Sequence, residues 1–275
     1  MPGIPAPAHS VPRADPGRQG TLPVPPFRLV GRRRELERLT ELLSPEAEQP
    51  RCVTIIGMGG AGKSRLSQEA ARRLAATYEE AVWWIPLAAV SDEPGMETAL
   101  REALRLSPKA ESSPRRQVMD YLGEDPALLV LDNFEQLVEA APLVEELLAA
   151  CPRLRCLITS RRPLALRAEQ VLELPPLPLP ADDDSLEELA GRESVRLFVE
   201  RAQAVRPHFQ VTAGNAAAVA ELCRQLDGLP LALELAAARI QSLTPAQMLQ
   251  QLSCDAGFLT GRARDLPERH RTLAA

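Results

Sequence analysis

The chain has 275 residues, of which 45% are hydrophobic and 25% are charged, and its formal net charge is −5. This length and composition allow one large domain or two modest ones with an ample core. The acidic balance excludes a chain-wide basic field for nucleic acid, although a local basic face stays open. No apolar run approaches the roughly 18 residues that a membrane-spanning helix needs, and the N-terminus lacks a signal-peptide pattern. We therefore expect a cytoplasmic protein without membrane contact.

The first 26 residues predict a tail without stable structure. Eight prolines and three glycines lie in this segment, together with few large apolar side chains. Such a composition cannot bury enough apolar surface to offset the loss of conformational entropy on ordering. We predict that residues 1–26 form a disordered, proline-rich tail or linker.

From residue 27 onwards, the hydrophobic pattern alternates between helical and extended segments. Short apolar runs predict five strands, at residues 52–56, 81–87, 127–132, 155–160 and 170–174. Helical spacing precedes or separates these runs, at residues 31–43, 64–76, 96–106, 114–122 and 134–150. The run at 127–132 shows no polar alternation, which is typical of a strand buried on both faces. This order predicts an α/β fold, with a central parallel sheet that helices cover on both sides.

Behind the proline-rich stretch at residues 175–180, every predicted element is a helix. Helical spacing recurs at residues 193–205, 214–226, 229–241 and 245–252. The carboxylates of Asp182, Asp183 and Asp184 precede Leu186, and we expect them to cap the N-terminus of a helix there. The pattern predicts a small all-α domain after the α/β domain.

Residues 57–64, Gly-Met-Gly-Gly-Ala-Gly-Lys-Ser, directly follow the first predicted strand. Strand, glycine loop, lysine and hydroxyl, in this order, indicate a phosphate-binding P-loop. The glycines at 57, 59, 60 and 62 permit backbone angles that are closed to other residues, so that successive N–H groups can turn inward. The following helix adds the positive end of its dipole. We predict that Lys63 reaches the β- and γ-phosphates of a nucleotide and that Ser64 ligates Mg²⁺.

Polar residues at the ends of two other predicted strands complete the expected site. Asp132 ends the third strand, and we expect it across from Ser64, holding Mg²⁺ through water. Asn133 follows it and cannot act as a base. Glu135 either activates the attacking water or serves as an acid in the first turn of a helix, so turnover should be slow. Arg161 follows the fourth strand at the edge of the nucleotide crevice, where it either senses the γ-phosphate or forms a surface ion pair.

Five segments together resemble the motifs of the signal-transduction ATPases with numerous domains (STAND). The matching segments are residues 27–35, 57–64, 128–135, 159–161 and 228–232. The last of them, Gly-Leu-Pro-Leu-Ala, is the most diagnostic, because it opens a predicted helix behind a P-loop domain. Over residues 27–275, the chain is most similar to the NB-ARC-type and the AfsR- or LuxR-like regulator ATPases of bacteria.

This resemblance implies a P-loop NTPase three-layer sandwich followed by a helical lid. Behind the tail at 1–26, the chain then divides into a nucleotide-binding domain at 27–176, the lid at 177–255 and the start of an incomplete winged-helix domain at 256–275. Val30 and Arg32 would contact the adenine side of the nucleotide, and Pro230 would pack on the base. The expected nucleotide-binding residues are Val30, Arg32, Gly57, Gly59, Gly60, Ala61, Gly62, Lys63, Ser64, Arg65 and Pro230. The expected catalytic residues are Lys63, Asp132, Glu135 and Arg161, and the expected metal ligands are Ser64 and Asp132.

The resemblance also implies a switch, in which ADP holds a closed form and exchange for ATP releases it. We expect ATP/ADP and Mg²⁺ as ligands, slow ATP hydrolysis and a role in transcriptional control. We also expect a protein partner or self-association on ATP binding, and no direct contact of this chain with DNA. Members of the family often carry a second acid after the metal-binding Asp, where this chain has Asn133. Two alternatives stay open: an AAA+-like ATPase that acts on DNA or protein, and an ADP-bound scaffold that does not hydrolyse ATP.

Overall fold

The computed structural model describes residues 20–48, 50–167 and 169–254. The strands are β1 (Cys52–Ile56), β2 (Val82–Pro86), β3 (Ala127–Asp132), β4 (Leu154–Ser160) and β5 (Glu169–Glu173). The helices are α1 (Arg33–Leu42), α2 (Lys63–Leu74), α3 (Glu93–Ala103), α4 (Pro114–Leu122), α5 (Ala141–Ala150), α6 (Leu186–Gly191), α7 (Glu193–Val205), α8 (Ala216–Gln225), α9 (Pro230–Ala237) and α10 (Pro245–Cys254). Most of the predicted tail, residues 1–19, and the predicted winged-helix start, residues 256–275, lie outside the described residues.

The five strands form one parallel sheet in the order β2-β3-β4-β1-β5. Every residue of β3 and β4 is buried, because these apolar strands have neighbours on both sides and helices on both faces. Helices α1 and α2 pack on one face of the sheet, and α3, α4 and α5 pack on the other. This arrangement confirms the predicted α/β sandwich with a central parallel sheet.

The helix predicted over residues 134–150 is shorter in the structure. Two 3₁₀ turns, Phe134–Gln136 and Val138–Ala140, come first, and α5 begins only at Ala141. Pro142 lies in the first turn of α5. Proline is tolerated there because the first backbone N–H groups of a helix have no partner within the helix, whereas further inside a helix its ring would break the backbone ladder. The apolar period over this segment therefore indicates burial but not a continuous α-helix.

Helices α6 to α10, which we call the helical region, follow the last strand and supply most of a separate apolar cluster. The cluster includes Phe198, Leu233 and Met248. None of the helices in the described part of the chain combines the length and the apolarity that a bilayer crossing requires. The predicted run of helices after the sheet is therefore present, with α6 as an additional short helix.

The N-terminus of α6 is capped by Ser185 and not by the three preceding aspartates. The Ser185 hydroxyl accepts a hydrogen bond from the Glu188 N–H at 3.3 Å, and the Glu188 carboxylate accepts one from the Ser185 N–H at 2.9 Å. This reciprocal pair is a capping box. Asp184 instead accepts a hydrogen bond from Arg192 Nε at 2.8 Å. The predicted cap by Asp182–Asp184 is therefore wrong.

The C-terminal ends of the strands bring the predicted functional residues to one edge of the sheet. The P-loop leaves β1, Asp132 ends β3, and Arg161 follows β4. Strand β4 lies between β1 and β3 in the sheet. In a parallel sheet all strands end on the same side, so the three segments face one crevice.

Candidate functional site

Three of the four glycines in the P-loop have the backbone angles that the sequence predicts. The φ angles of Gly57, Gly60 and Gly62 are 157°, 79° and 93°. A Cβ atom on Gly57 would lie 2.6 Å from the carbonyl oxygen of Leu174, too close for any other residue type. Gly59 does not have a positive φ, and a Cβ atom on it would meet no atom closer than 3.7 Å. The expectation of an unusual backbone angle at Gly59 is wrong.

Lys63 opens α2 and folds back against the P-loop. Its Nζ donates hydrogen bonds to the carbonyl oxygens of Gly57, at 2.7 Å, and Met58, at 2.9 Å. Burial lowers the pKa of Lys63, the nearby Glu135 carboxylate opposes this effect, and the Arg161 guanidinium lowers the pKa further. The compact ammonium group of the site is therefore held at the loop, partly removed from water.

Ser64 and Asp132 lie in direct contact. The Ser64 hydroxyl donates a hydrogen bond to Asp132 Oδ1 at 2.6 Å. The Thr159 hydroxyl donates to the same oxygen at 2.7 Å and accepts the N–H of Asn133 at 2.9 Å. Asp132 is only 3% exposed, so these donors replace most of its hydration. The sequence analysis gave Thr159 no role of its own, although its position at the end of β4, beside the last residue of β3, is a usable signal.

Glu135 and Arg161 form an ion pair beside the P-loop. Glu135 Oε1 lies 3.5 Å from Arg161 Nε and accepts a hydrogen bond from the Asn133 side chain at 3.3 Å. The second carboxylate oxygen, Oε2, is buried and finds no hydrogen-bond partner within the described ranges. A buried oxygen without a partner costs free energy unless a ligand or water supplies a donor. The sequence left two roles for Arg161, contact with the γ-phosphate or an ion pair. Both roles place Arg161 in this crevice, because its ion-pair partner Glu135 lies there too.

A cavity of about 530 Å³ joins the P-loop to the helical region. Its volume is that of an ordinary small-molecule site. Twelve of the predicted site residues line it, namely Val30, Arg32, Gly59, Gly60, Ala61, Gly62, Lys63, Ser64, Arg65, Glu135, Arg161 and Pro230. Gly57 and Asp132 are not among the lining residues, but they contact Lys63 and Ser64, which are. The far wall includes Leu177, Leu197, Leu226 and Leu229.

The N-terminus of α9 rests on the P-loop. The Leu231 N–H donates a hydrogen bond to the carbonyl oxygen of Gly60 at 3.2 Å. A Cβ atom on Gly60 would lie 3.0 Å from the side chain of Leu231, and one on Gly62 would lie 3.7 Å from Pro230 Cγ. Because α9 belongs to the helical region, the P-loop and the helical region are in direct contact here.

A second link between P-loop and helical region was missed by the sequence analysis. Arg65, directly after Ser64 in α2, donates a hydrogen bond to the carbonyl oxygen of Phe27. The ring of Phe27 lies 4.2 Å from the guanidinium carbon of Arg201 in α7, and Arg201 pairs with Glu234 of α9 at 3.0 Å. Phe27 was noted only as the first residue of the motif at 27–35, and Arg201 gave no signal, because a single arginine is common on any surface.

The guanidinium group of Arg32 forms hydrogen bonds within the protein. The group donates hydrogen bonds to Glu35 Oε1, at 3.0 Å, and to the carbonyl oxygen of Pro175. Its side chain is 4% exposed. Val30 is likewise buried and packs in the cluster of the helical region. These contacts hold the residues that directly precede α1 at the rim of the cavity.

The residues of this crevice fit a magnesium-bound nucleotide. The described part of the chain holds no group of three or more His, Cys, Asp or Glu side chains that could bind a metal alone. Mg²⁺ typically takes one or two protein oxygens and completes its shell with phosphates and water. Ser64 and Asp132 supply such oxygens in direct contact, next to a glycine loop and an ammonium group. The expected metal and nucleotide roles stay predictions.

Similarity to known proteins agrees with this geometry. Residues 28–189 match the family model of the AAA ATPase domain. An uncharacterized protein of Mycobacterium tuberculosis is 36% identical over 247 residues, which are 90% of this chain and 59% of that protein. Another protein of this organism, which bears the provisional name of HTH-type transcriptional regulator, is 36% identical over 228 residues, or 82% of this chain and 24% of its own length. The chain thus spans less than two thirds of either relative.

A solved structure shows the same fold. The ORC2 protein of Aeropyrum pernix, determined as ADPNP-ADP complexes, superposes with a TM-score of 0.53 and 15% sequence identity. The superposition covers 78% of this chain and 62% of that chain. At this identity the likeness concerns the arrangement of strands and helices alone.

Proposed function

Because the chain belongs to the AAA ATPase domain family, we propose that it is an ATP/ADP-operated regulatory switch with slow ATP hydrolysis. The observation that carries this proposal is the cavity of about 530 Å³, whose walls come from the P-loop and from the helical region. A ligand in this cavity touches both parts at once. Its identity can therefore change how they are held together.

The P-loop side of the cavity binds the phosphates. Backbone N–H groups of the P-loop and the N-terminus of α2 favour an anion there, and Lys63 adds a positive charge that already lies against the loop. Ser64 and Asp132 hold Mg²⁺, which neutralises phosphate charge when bound. Val30, Arg32 and Pro230 line the part of the cavity that takes the base.

Switching requires that ATP and ADP favour different states. A ligand shifts an equilibrium only by the difference between its affinities for the two states. The γ-phosphate is the only chemical difference between the two nucleotides, and we assign its recognition to Lys63 and Arg161, which line the cavity at the P-loop. The contact of Leu231 with Gly60 transmits the difference to the helical region, which acts as a lid.

Hydrolysis is slow in this account. Asn133 replaces a second acid and has no basic group, and Glu135, the candidate for water activation, is engaged by Arg161 and Asn133.

We assign residues 27–176 to the nucleotide-binding domain and 177–255 to the lid. The relative with the provisional name of a transcriptional regulator supports a place for the switch in transcriptional control. We assign the chain to the NB-ARC-type and AfsR- or LuxR-like regulators within the STAND ATPases. The output of the switch is binding of a protein partner or self-association.

Two measurements on the purified chain test this function. The protein is denatured directly after purification, and any released nucleotide is identified by mass spectrometry; we expect ADP. Release of phosphate from ATP is then followed, and we expect turnover well below the median of about 10 s⁻¹ for enzymes. Rapid turnover that DNA stimulates would contradict the switch and favour an AAA+-like ATPase that acts on DNA.

One observation favours a second candidate, a scaffold that binds ADP without hydrolysing ATP. Members of the family that the chain resembles often carry a second acid where this chain has Asn133, and the Asn133 amide donates a hydrogen bond to Glu135. In a scaffold, bound ADP contributes stability by mass action alone. Absence of any phosphate release above the Lys63→Ala variant, together with tight ADP binding, would favour the scaffold over the switch.

A further inference from the structure

An ion pair of the helical region lines the cavity, and the proposed function gives it no role. It joins Arg201 of α7 to Glu234 of α9, with 3.0 Å between Arg201 Nε and Glu234 Oε1. Arg65, which directly follows Ser64, lies close to both. Burial lowers the pKa of Arg65, Arg201 lowers it further, and the Glu234 carboxylate opposes this effect. The pair therefore lies beside the first turn of α2, next to the P-loop.

Arg201 is held in place by contacts that use only part of its guanidinium group. The guanidinium carbon lies 4.2 Å from the centre of the Phe27 ring, and Nε donates to Glu234 at 3.0 Å. The residue is only 9% exposed. Within the described ranges, the guanidinium group makes no further hydrogen bond. Because a guanidinium carries five N–H donors, those on the two Nη atoms are left for a ligand in the cavity.

Glu234 adds hydrogen-bond acceptors at the same place. Its side chain is 39% exposed, and a carboxylate can accept more than the one hydrogen bond that Arg201 gives it. The pair thus presents donors and acceptors side by side. A phosphate has acceptors alone and is repelled by the carboxylate, whereas a hydroxyl group both donates and accepts. Hydroxyl groups are therefore the chemistry that fits this pair.

The distance of the pair from the P-loop agrees with a sugar. At the start of α9, the Leu231 N–H donates to the carbonyl oxygen of Gly60 at 3.2 Å. Glu234 follows three residues later, about 4.5 Å further along the helix axis. In a nucleotide the ribose directly follows the phosphates. A ribose attached to phosphates in the P-loop is therefore within reach of a side chain one helical turn away.

We infer that Glu234 and Arg201 recognise the ribose of the nucleotide. The Glu234 carboxylate accepts hydrogen bonds from the 2′- and 3′-hydroxyls, and the Nη groups of Arg201 donate to the hydroxyl oxygens. An acidic side chain binds a ribose hydroxyl in the same way in dinucleotide-binding folds. This inference rests on the proposed function and adds the selection of ribonucleotides over nucleotides that lack these hydroxyls.

Calorimetric titrations with ADP and with 2′,3′-dideoxy-ADP test the inference. We expect the wild type to bind ADP about tenfold more tightly, because the dideoxy compound leaves the buried donors of Arg201 without an acceptor. Glu234→Ala should reduce this ratio to about threefold or less, mainly by weakening ADP. Glu234→Gln keeps an acceptor for Arg201 Nε, which protects the fold, but it removes the charge and should give an intermediate ratio.

Two further variants separate ribose recognition from other roles. Glu221→Ala is the matched control, because Glu221 is a half-exposed acid of α8 that pairs with Arg224 at 3.1 Å and does not line the cavity; the wild-type ratio should persist. Arg201→Lys keeps the positive charge but loses the fork of Nη donors, so the ratio should fall. Equal weakening of both nucleotides in this variant would assign Arg201 to a phosphate and overturn its role at the ribose.

The remaining outcomes also decide the matter. A wild type that binds the two compounds equally would overturn the inference, and so would a wild-type ratio in both Glu234 variants, since the carboxylate would then only shape the cavity. In either case binding of ADP to the wild type leaves the proposed function intact. A folded wild type that binds neither compound would overturn the proposed function itself.

Discussion

The hydroxyl of Thr159 is expected to be a main support of the polar cluster at the end of β3. It donates to Asp132 Oδ1 at 2.7 Å and accepts the Asn133 N–H at 2.9 Å, and the residue is 1% exposed. Thr159→Val keeps the shape of the side chain and removes both hydrogen bonds. A lost hydrogen bond to a charged group costs about 1.5–3 kcal/mol, and a buried N–H without a partner costs about 1–3 kcal/mol. Because Ser64 still donates to Asp132, we expect the free energy of unfolding to fall by about 3 kcal/mol, near the lower end of the sum.

Urea denaturation, followed by circular dichroism, measures this change. The slope of the transition should stay that of the wild type, since the surface exposed on unfolding is the same. Thr159→Ser is the matched control, because it keeps the hydroxyl and loses only a methyl group, worth about 0.8 kcal/mol. If the valine variant were as stable as the serine variant, the bridging role of the hydroxyl would be refuted.

Two further predictions concern the helical region. Ser185→Ala should lower the free energy of unfolding by about 1 kcal/mol through loss of the capping box, whereas Asp182→Ala, at a side chain 96% exposed, should change it by less than about 0.5 kcal/mol; equal losses in urea denaturation would contradict the assigned cap. Burial raises the pKa of Cys223 to about 12, so the folded state keeps the thiol protonated while the unfolded chain ionises it above about pH 9. Stability should therefore fall as the pH rises above this value, and Cys223→Ala should reduce that slope by about 1.4 kcal/mol per pH unit; an unaltered slope would count against the burial effect.

Segments with a strong local signal could be predicted from the sequence. The five strands are short apolar runs between helical segments, and the ends of each lie within one residue of the predicted bounds. The glycines of the P-loop predict backbone angles that other residues rarely adopt, and the structure confirms positive φ angles at Gly57, Gly60 and Gly62. Local signals of this kind depend on neighbouring residues only, so no knowledge of the tertiary structure is needed.

Features that depend on contacts between distant segments could not be predicted. The order of the strands, the bridge from Thr159 to Asp132 and the ion pair of Arg161 with Glu135 all join residues more than 20 positions apart. Which residue caps α6 depends on where the helix begins, and the three adjacent acids Asp182–Asp184 do not define this position. In the structure the cap is Ser185. Similarly, the helical period runs on from residue 134, but α5 begins only at Ala141, with Pro142 in its first turn.

Calorimetric titration of the nucleotide-free protein with ADP and ATP, in the presence of Mg²⁺, tests the central claim most directly. The Nζ atom of Lys63 lies within 2.9 Å of two carbonyl oxygens of the P-loop, so Lys63→Ala deletes the ammonium group that lies against this loop. We predict saturable binding of both nucleotides to the wild type and its loss in a folded Lys63→Ala variant. Titrations of well-folded wild type that give no heat beyond dilution, or equal affinities in the two proteins, would contradict the account.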